Sequence, residues 1–164
     1  MDLPGFNTAP PAELTTTLLA CCDVPSWAAA VRDRRPYADV DALLATADEA
    51  AREFTPAEVE RALAAHPRIG ERAHGDRPDA DWSRREQSGV DRDADTRRAL
   101  TEGNRAYEER FGRVFLICAT GLSGADVLGA LHARLDNDEE TEAGVVAAEL
   151  RTIALLRLRR VLAA

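Results

Sequence analysis

The alternation of apolar and polar positions cuts the chain into helix-length blocks. From about Ala12 to Cys22, Leu14, Leu18 and Leu19 recur at helical spacing, and Pro25 ends the run. A short block follows with Trp27 and Val31 four residues apart, closed by Arg35-Pro36. Asp39 or Asp41 caps the next helix, about Val40 to Phe54, whose apolar face is Leu43, Leu44 and Ala47. Thr55-Pro56-Ala57-Glu58 has the form of a capping box with proline at the first helical position; Val59, Ala62 and Leu63 then form the stripe. This helix runs into His66-Pro67, and the polar stretch to Asp79 reads as loop. About two turns follow, ending near Gly89, and then a longer helix, Asp93 to Gly112, anchored by Leu100, Tyr107 and Phe111. Ser123 or Asp126 opens a helix to about Leu135, and Glu139 to Ala163 is a long amphipathic helix with Val145, Val146, Ile153 and Leu156 on its core side.

Two stretches do not fit this scheme. Met1 to Pro10 reads as loop, with Asn7 as a cap for something short. The apolar run V-F-L-I-C-A, 114–119, is either a buried, partly extended segment or a helix start, because periodicity does not separate the two over so few residues. The expected fold is all-α: a single compact domain of about seven to eight helices over residues 1–164.

Composition agrees. Apolar residues make up 45% of the 164, charged residues 30% and aromatics only 5%, with Ala, Leu, Arg and Glu dominant, a bias toward helix over strand. The net charge of −8 argues against nucleic acid or an anionic membrane as main partner, and leaves room for a small anion held by one arginine. Cys21 and Cys22 are adjacent and Cys118 makes the count odd, which suits reduced thiols rather than a disulfide framework. With no secretory leader and no apolar run near the ~20 residues a bilayer span needs, the expected compartment is the cytoplasm.

Candidate chemistry starts at His66. Proline disfavours helical geometry in the residue before it, so His66 should leave its helix and present an imidazole suited to proton transfer near neutral pH. Such a histidine often only satisfies helix-end carbonyls. Ser83, Glu86 and Gln87, at i, i+3 and i+4, share one helix face, which is either a solvated surface or a hydrogen-bonding wall for a polar heterocycle. Arg157 lies between Leu156 and Leu158, whereas Arg159 and Arg160 form a basic helix terminus; sequence alone slightly favours a surface position for Arg157 over an inward anion site. Cys118 reads as a small hydrophobe. His74 and His132 match no metal-ligand spacing and read as solvated, and no metal site is expected. Gly121-Leu122-Ser123-Gly124 is a helix start, since its second glycine comes one residue too early for a nucleophile elbow.

Taken in order, H-P-R-I-G-E-R, S-R-R-E-Q-S-G-V, N-R-A-Y-E-E-R-F-G-R-V-F-L-I-C-A-T-G and L-L-R-L-R-R resemble the OHCU decarboxylases, which act on 2-oxo-4-hydroxy-4-carboxy-5-ureidoimidazoline in uric acid breakdown. The resemblance covers nearly the whole chain, including Arg34 to Pro36; no one motif is decisive, but four in this order are specific. It implies an all-helical homodimer that converts this small-molecule substrate to (S)-allantoin and carbon dioxide without a cofactor. By position, His66 matches the catalytic histidine and Pro67 its substrate-contacting neighbour. Ser83, Arg84, Arg85, Glu86 and Gln87 match the binding helix, with Glu86 its conspicuous carboxylate. Phe115, Leu116, Ile117, Cys118 and Ala119 match a segment whose backbone touches the ligand, and Arg157 matches the active-site arginine. His66, Glu86 and Arg157 are thus the expected catalytic set. Some relatives carry H-P-D-L-A-G here, so Arg68 and Ile69 bear on the pocket rim. The competing readings are a non-catalytic helical binding module, with these residues scattered over the surface, and a decarboxylase of a related ureido or imidazoline acid.

Overall fold

A computed structural model of the chain describes residues 1–71, 78–90 and 93–163, with no account of the side chains at 78 and 79. Among the described residues there are nine helices and no strand: α1 (Leu3–Thr8), α2 (Pro11–Cys21), α3 (Pro25–Asp33), α4 (Val40–Ala51), α5 (Pro56–Ala64), α6 (Pro78–Glu86), α7 (Ala94–Phe111), α8 (Gly124–Leu135) and α9 (Glu139–Ala163). The all-α expectation holds. The chain forms two compact units, Met1–Ala65 with Leu150–Ala164, and His66–Glu149.

In the first unit Phe6, Leu14, Leu18, Trp27, Val31, Leu43 and Ala47 are buried, and α3 packs against α2 and α4. Trp27 is a full core residue because its indole N–H finds an acceptor, the Ala47 carbonyl at 2.9 Å. The opening residues depart from the loop expectation. Asp2 accepts the Gly5 N–H at 2.9 Å, Pro4 suits the first turn, and the buried Phe6 anchors α1. Asn7 caps nothing: it exchanges two 2.9 Å hydrogen bonds with the backbone of Tyr37. Arg35 Nη1 donates to the carbonyls of Phe6 (3.0 Å) and Ala9 (2.9 Å), so a helix too short to persist alone is held by distant partners.

Asp39, rather than Asp41, caps α4 through the Ala42 N–H. The α5 capping box forms as expected: Glu58 N–H donates to Thr55 Oγ1 at 3.3 Å and Thr55 N–H to Glu58 Oε2 at 2.8 Å. Ser26 Oγ donates to the other Glu58 oxygen at 2.5 Å, tying α5 to α3.

In the second unit α7 packs on α8 around Leu100, Tyr107, Phe115, Val127 and Leu131. Gly103 permits this approach, since a Cβ there would sit 3.0 Å from a Leu131 methyl. Asp93 caps α7, and Gly112, at φ +65°, ends it in the left-handed conformation glycine favours. Ser123, rather than Asp126, is the N-cap of α8, and Asp126 at the third helical position completes its capping box. On α9, Val146 and Ile153 are buried as expected, Val145 and Leu156 only half so.

Thr55→Ala removes the hydroxyl cap of the helix that ends beside His66. It should cost ~0.5–2 kcal/mol, read as a lower urea midpoint with unchanged slope.

Candidate active site

α5 stops at Ala64 and His66 lies outside it, as Pro67 requires. The imidazole is half-buried, with Nε2 shielded from solvent. The loop that follows is held by two amide side chains. Asn104 Nδ2, from α7, donates to the Ile69 carbonyl at 2.9 Å; Gln87 Oε1, just after α6, accepts the Gly70 N–H at 2.9 Å. Gly70 is at φ +89°, where a side chain would be strained. Arg68 forks onto Glu108 at 2.5 and 3.1 Å in an exposed pair.

The 3.6-residue period sorts the residues of the α6 region. Ser83, Glu86 and Val90 are buried, Gln87 is half-buried, and Arg84 and Arg85 face solvent, with Arg84 paired to Asp81. The structure therefore turns the hydroxyl and carboxylate inward and leaves both arginines outside.

Residues 114–119 are neither helix nor strand, and Phe115, Leu116, Ile117 and Ala119 are buried, which selects the non-helical alternative. The main chain here is anchored from three directions: Arg134 Nη1 donates to Leu116 O at 2.7 Å, Cys118 N–H to Glu149 Oε2 at 2.7 Å, and Leu122 N–H to Ala119 O at 3.0 Å. Among the described residues, the N–H and C=O of Ile117 have no hydrogen-bond partner. A backbone donor and acceptor without a partner among the described residues are suited to something outside the chain. The Cys118 thiol is pushed up by burial, and the charges of Glu149 and Glu86 add to this, so it is no ready nucleophile.

Arg134 is itself buried and must be compensated. Its Nε and Nη2 donate to Glu142 Oε1 at 2.8 and 2.6 Å. Tyr107 Oη donates to the same oxygen at 2.5 Å and Asn137 Nδ2 to Oε2 at 2.9 Å. The guanidinium also lies over the Phe115 ring, 4.5 Å from its centroid. Burial raises the Glu142 carboxyl pKa, but the hydrogen bonds from Arg134, Tyr107 and Asn137 outweigh it and leave the group below its ordinary value. Burial, then the bond to this carboxylate, pushes the Tyr107 phenol up to about 12. None of Asn104, Arg134, Glu142 and Glu149 stood out as a candidate from sequence. A signal for three of them existed: Asn104 falls in register with Leu100 and Tyr107, Arg134 with Val127 and Leu131, and Glu142 with Val146 and Leu150.

Arg157 belongs to the first unit and is 2% exposed, so the surface position favoured by sequence is overturned: it continues the α9 stripe of Leu150, Ile153 and Ala154. It lies near the buried Cys22, whose thiol burial pushes up to about 12 while the Arg157 charge opposes the shift. His132 is exposed, as expected; His74 lies outside the described residues. A cleft of about 290 Å³ in the second unit is lined by Arg68, Ile69, Gly70, Leu100, Asn104 and Glu108 among others. Of the described residues around it, none is an expected substrate contact. Among the described residues no cluster of His, Cys, Asp and Glu is placed to hold a metal ion, and no helix is long and apolar enough to cross a membrane.

Among the described residues the second unit buries the Ser83 hydroxyl and the Glu86 carboxylate, and the first unit buries the Arg157 guanidinium. The family model for OHCU decarboxylase matches residues 7–159, and the chain belongs to that family of carboxy-lyases. It is 31% identical over 137 residues to the 2-oxo-4-hydroxy-4-carboxy-5-ureidoimidazoline decarboxylase of Haloferax volcanii, covering 82% of this chain and 79% of that one. It is 29% identical over 145 residues to the uric acid degradation bifunctional protein TTL of Arabidopsis thaliana, covering 85% of this chain but 44% of the plant protein. The crystal structure of an OHCU decarboxylase in the presence of (S)-allantoin shares the fold, with a TM-score of 0.73 at 24% identity over 89% of this chain and 96% of that one. An (S)-allantoin synthase does so as well, with a TM-score of 0.73 at 19% identity over 98% of this chain and 54% of that one.

Glu142→Gln should destabilise the protein by about 3–5 kcal/mol, because it leaves a buried guanidinium without its counter-charge. The carboxyl is held low in the folded state, so its contribution is complete above the ordinary carboxylate range and is lost as pH falls through the lowered value. Denaturation midpoints of wild type and variant should differ by a constant amount near neutrality and converge below about pH 4.

Proposed function

We propose that this protein decarboxylates 2-oxo-4-hydroxy-4-carboxy-5-ureidoimidazoline to (S)-allantoin in uric acid breakdown, and that residues 1–164 act as one functional domain. Membership of the family across residues 7–159 supports both statements. The observation that carries the reading is the open backbone of Ile117. Its N–H and C=O, without a partner among the described residues, lie in the segment that the family resemblance assigns to the ligand.

The chemistry asks little of the protein beyond placement. The bond from the ring carbon to its carboxylate breaks, carbon dioxide leaves, and the electron pair passes into the ring, whose own C=N is the sink. A proton is then added to one face of the neighbouring ring carbon, which bears the ureido group, as the hydroxyl-bearing carbon becomes a carbonyl and its hydroxyl proton is released. Such a reaction needs no pyridoxal or thiamine; it needs a rigidly held ring and a positioned acid. Arg157 binds anionic or carbonyl oxygens in its planar fork. Glu86, Gln87 and Ser83 hydrogen-bond the ring and ureido groups. Pro67 and the backbone of Phe115, Leu116, Ile117, Cys118 and Ala119 fix the ring plane. His66 delivers or relays the proton, with Glu86 as its partner. The bond from Gly70 N–H to Gln87 supports this division of work, because it links the His66 loop to the α6 region directly.

The chain works as a homodimer in the cytoplasm. The compartment is supported by three free cysteines, two of them buried side by side. Light scattering should give twice the mass of one chain; a monomer at micromolar concentration counts against the assembly.

His66→Asn should remain folded by circular dichroism and lose ~10²–10⁴-fold in turnover, falling toward the spontaneous rate. Wild type should yield one optically active allantoin where the spontaneous reaction yields a racemate. A racemic product from active enzyme, or near-normal turnover in the variant, would sink the proton-donor role.

A further inference from the structure

The two peptide groups on either side of Ile117 are gripped by different side chains. Both bonds are trans, so within each planar unit the C=O and N–H point in opposite directions. Arg134 holds the Leu116 oxygen and thereby aims the Ile117 N–H away from itself. Glu149 holds the Cys118 N–H and thereby aims the Ile117 C=O away from itself. The donor and the acceptor that Ile117 offers are thus each set by one charged side chain acting through a peptide plane.

We propose that Glu149 is a positioning residue of the reaction: through the Cys118 amide it directs the Ile117 carbonyl at an N–H of the substrate's ring or ureido group. This rests on the reading above that the segment contacts substrate. Glu149 is half-buried on α9, one helical turn before the buried Ile153, and reaches back to the segment at 2.7 Å. A carboxylate accepting a backbone N–H makes a short, charge-assisted bond, stiffer than water would make at the same place. Its partner on the other peptide, Arg134, is locked by Glu142, Tyr107 and Asn137. Glu149 is therefore the more adjustable of the two grips, and the one whose loss should alter recognition without collapsing the core.

The test compares wild type with Glu149→Ala and Glu149→Gln. Loss of the acceptor should lower kcat/KM by ~10–100-fold in Glu149→Ala. Glu149→Gln keeps a neutral acceptor and should recover most of that loss. The proton shift of the Cys118 amide should move upfield in Glu149→Ala and stay near wild type in Glu149→Gln. Kinetics and shift moving together are the expected result. Wild-type kcat/KM in Glu149→Ala overturns the inference, as does a Gln variant as impaired as the Ala variant, which would make the charge rather than the hydrogen bond the active feature. If wild type itself fails to turn over the ureidoimidazoline, the proposed function falls first, and that outcome is distinct from an active wild type matched by Glu149→Ala.

Discussion

The buried ion pair of Arg134 and Glu142 is the constraint on which the second unit depends. A helical protein satisfies its backbone locally, turn by turn, and 114–119 is where this chain stops doing so while still buried. Leu116 O has no helix partner, and Arg134 supplies one. A buried guanidinium is costly, of the order of several kcal/mol after relaxation, so it in turn needs the Glu142 carboxylate. That carboxylate has further lone pairs to fill, and Tyr107 and Asn137 fill them. One unpaired carbonyl thus propagates a requirement through α7, α8 and the start of α9. Apolar residues of similar volume could match the pair in stability, but they could not hold the Leu116 carbonyl.

The same logic recurs with neutral groups at the His66 loop. Asn104 and Gln87 do for Ile69 and Gly70 what Arg134 and Glu149 do for Leu116 and Cys118. In both places a short irregular segment is fixed by side chains from neighbouring helices, which spend their polar atoms on backbone. In the proposed reaction such fixation is what holds the ring and the acid in place.

Most of the helices could be read in advance because caps and apolar stripes are local. Thr55 with Glu58, Ser123 with Asp126 and the Gly112 stop depend on residues within one turn, so spacing reveals them. α1 was missed because Arg35, far along the chain, and the core around Phe6 hold it. The polar face of Ser83, Glu86 and Gln87 was legible as a face, but which side of α6 would be buried was not. Arg84 and Arg85, adjacent in sequence and alike in charge to any inward arginine, ended in solvent.

By itself, the amino-acid sequence determined the all-helical class, most helix boundaries and, through four ordered motifs, the family. Those properties rest on periodicity, capping and residue identity, which survive without knowledge of neighbours. Only the tertiary structure decided that Arg157 faces inward, that Arg134 and Glu142 pair, and that the Ile117 backbone has no partner among the described residues. Each of these is set by which groups from distant helices are near enough to compensate a buried charge or a buried peptide, and that distance is not written in the local pattern.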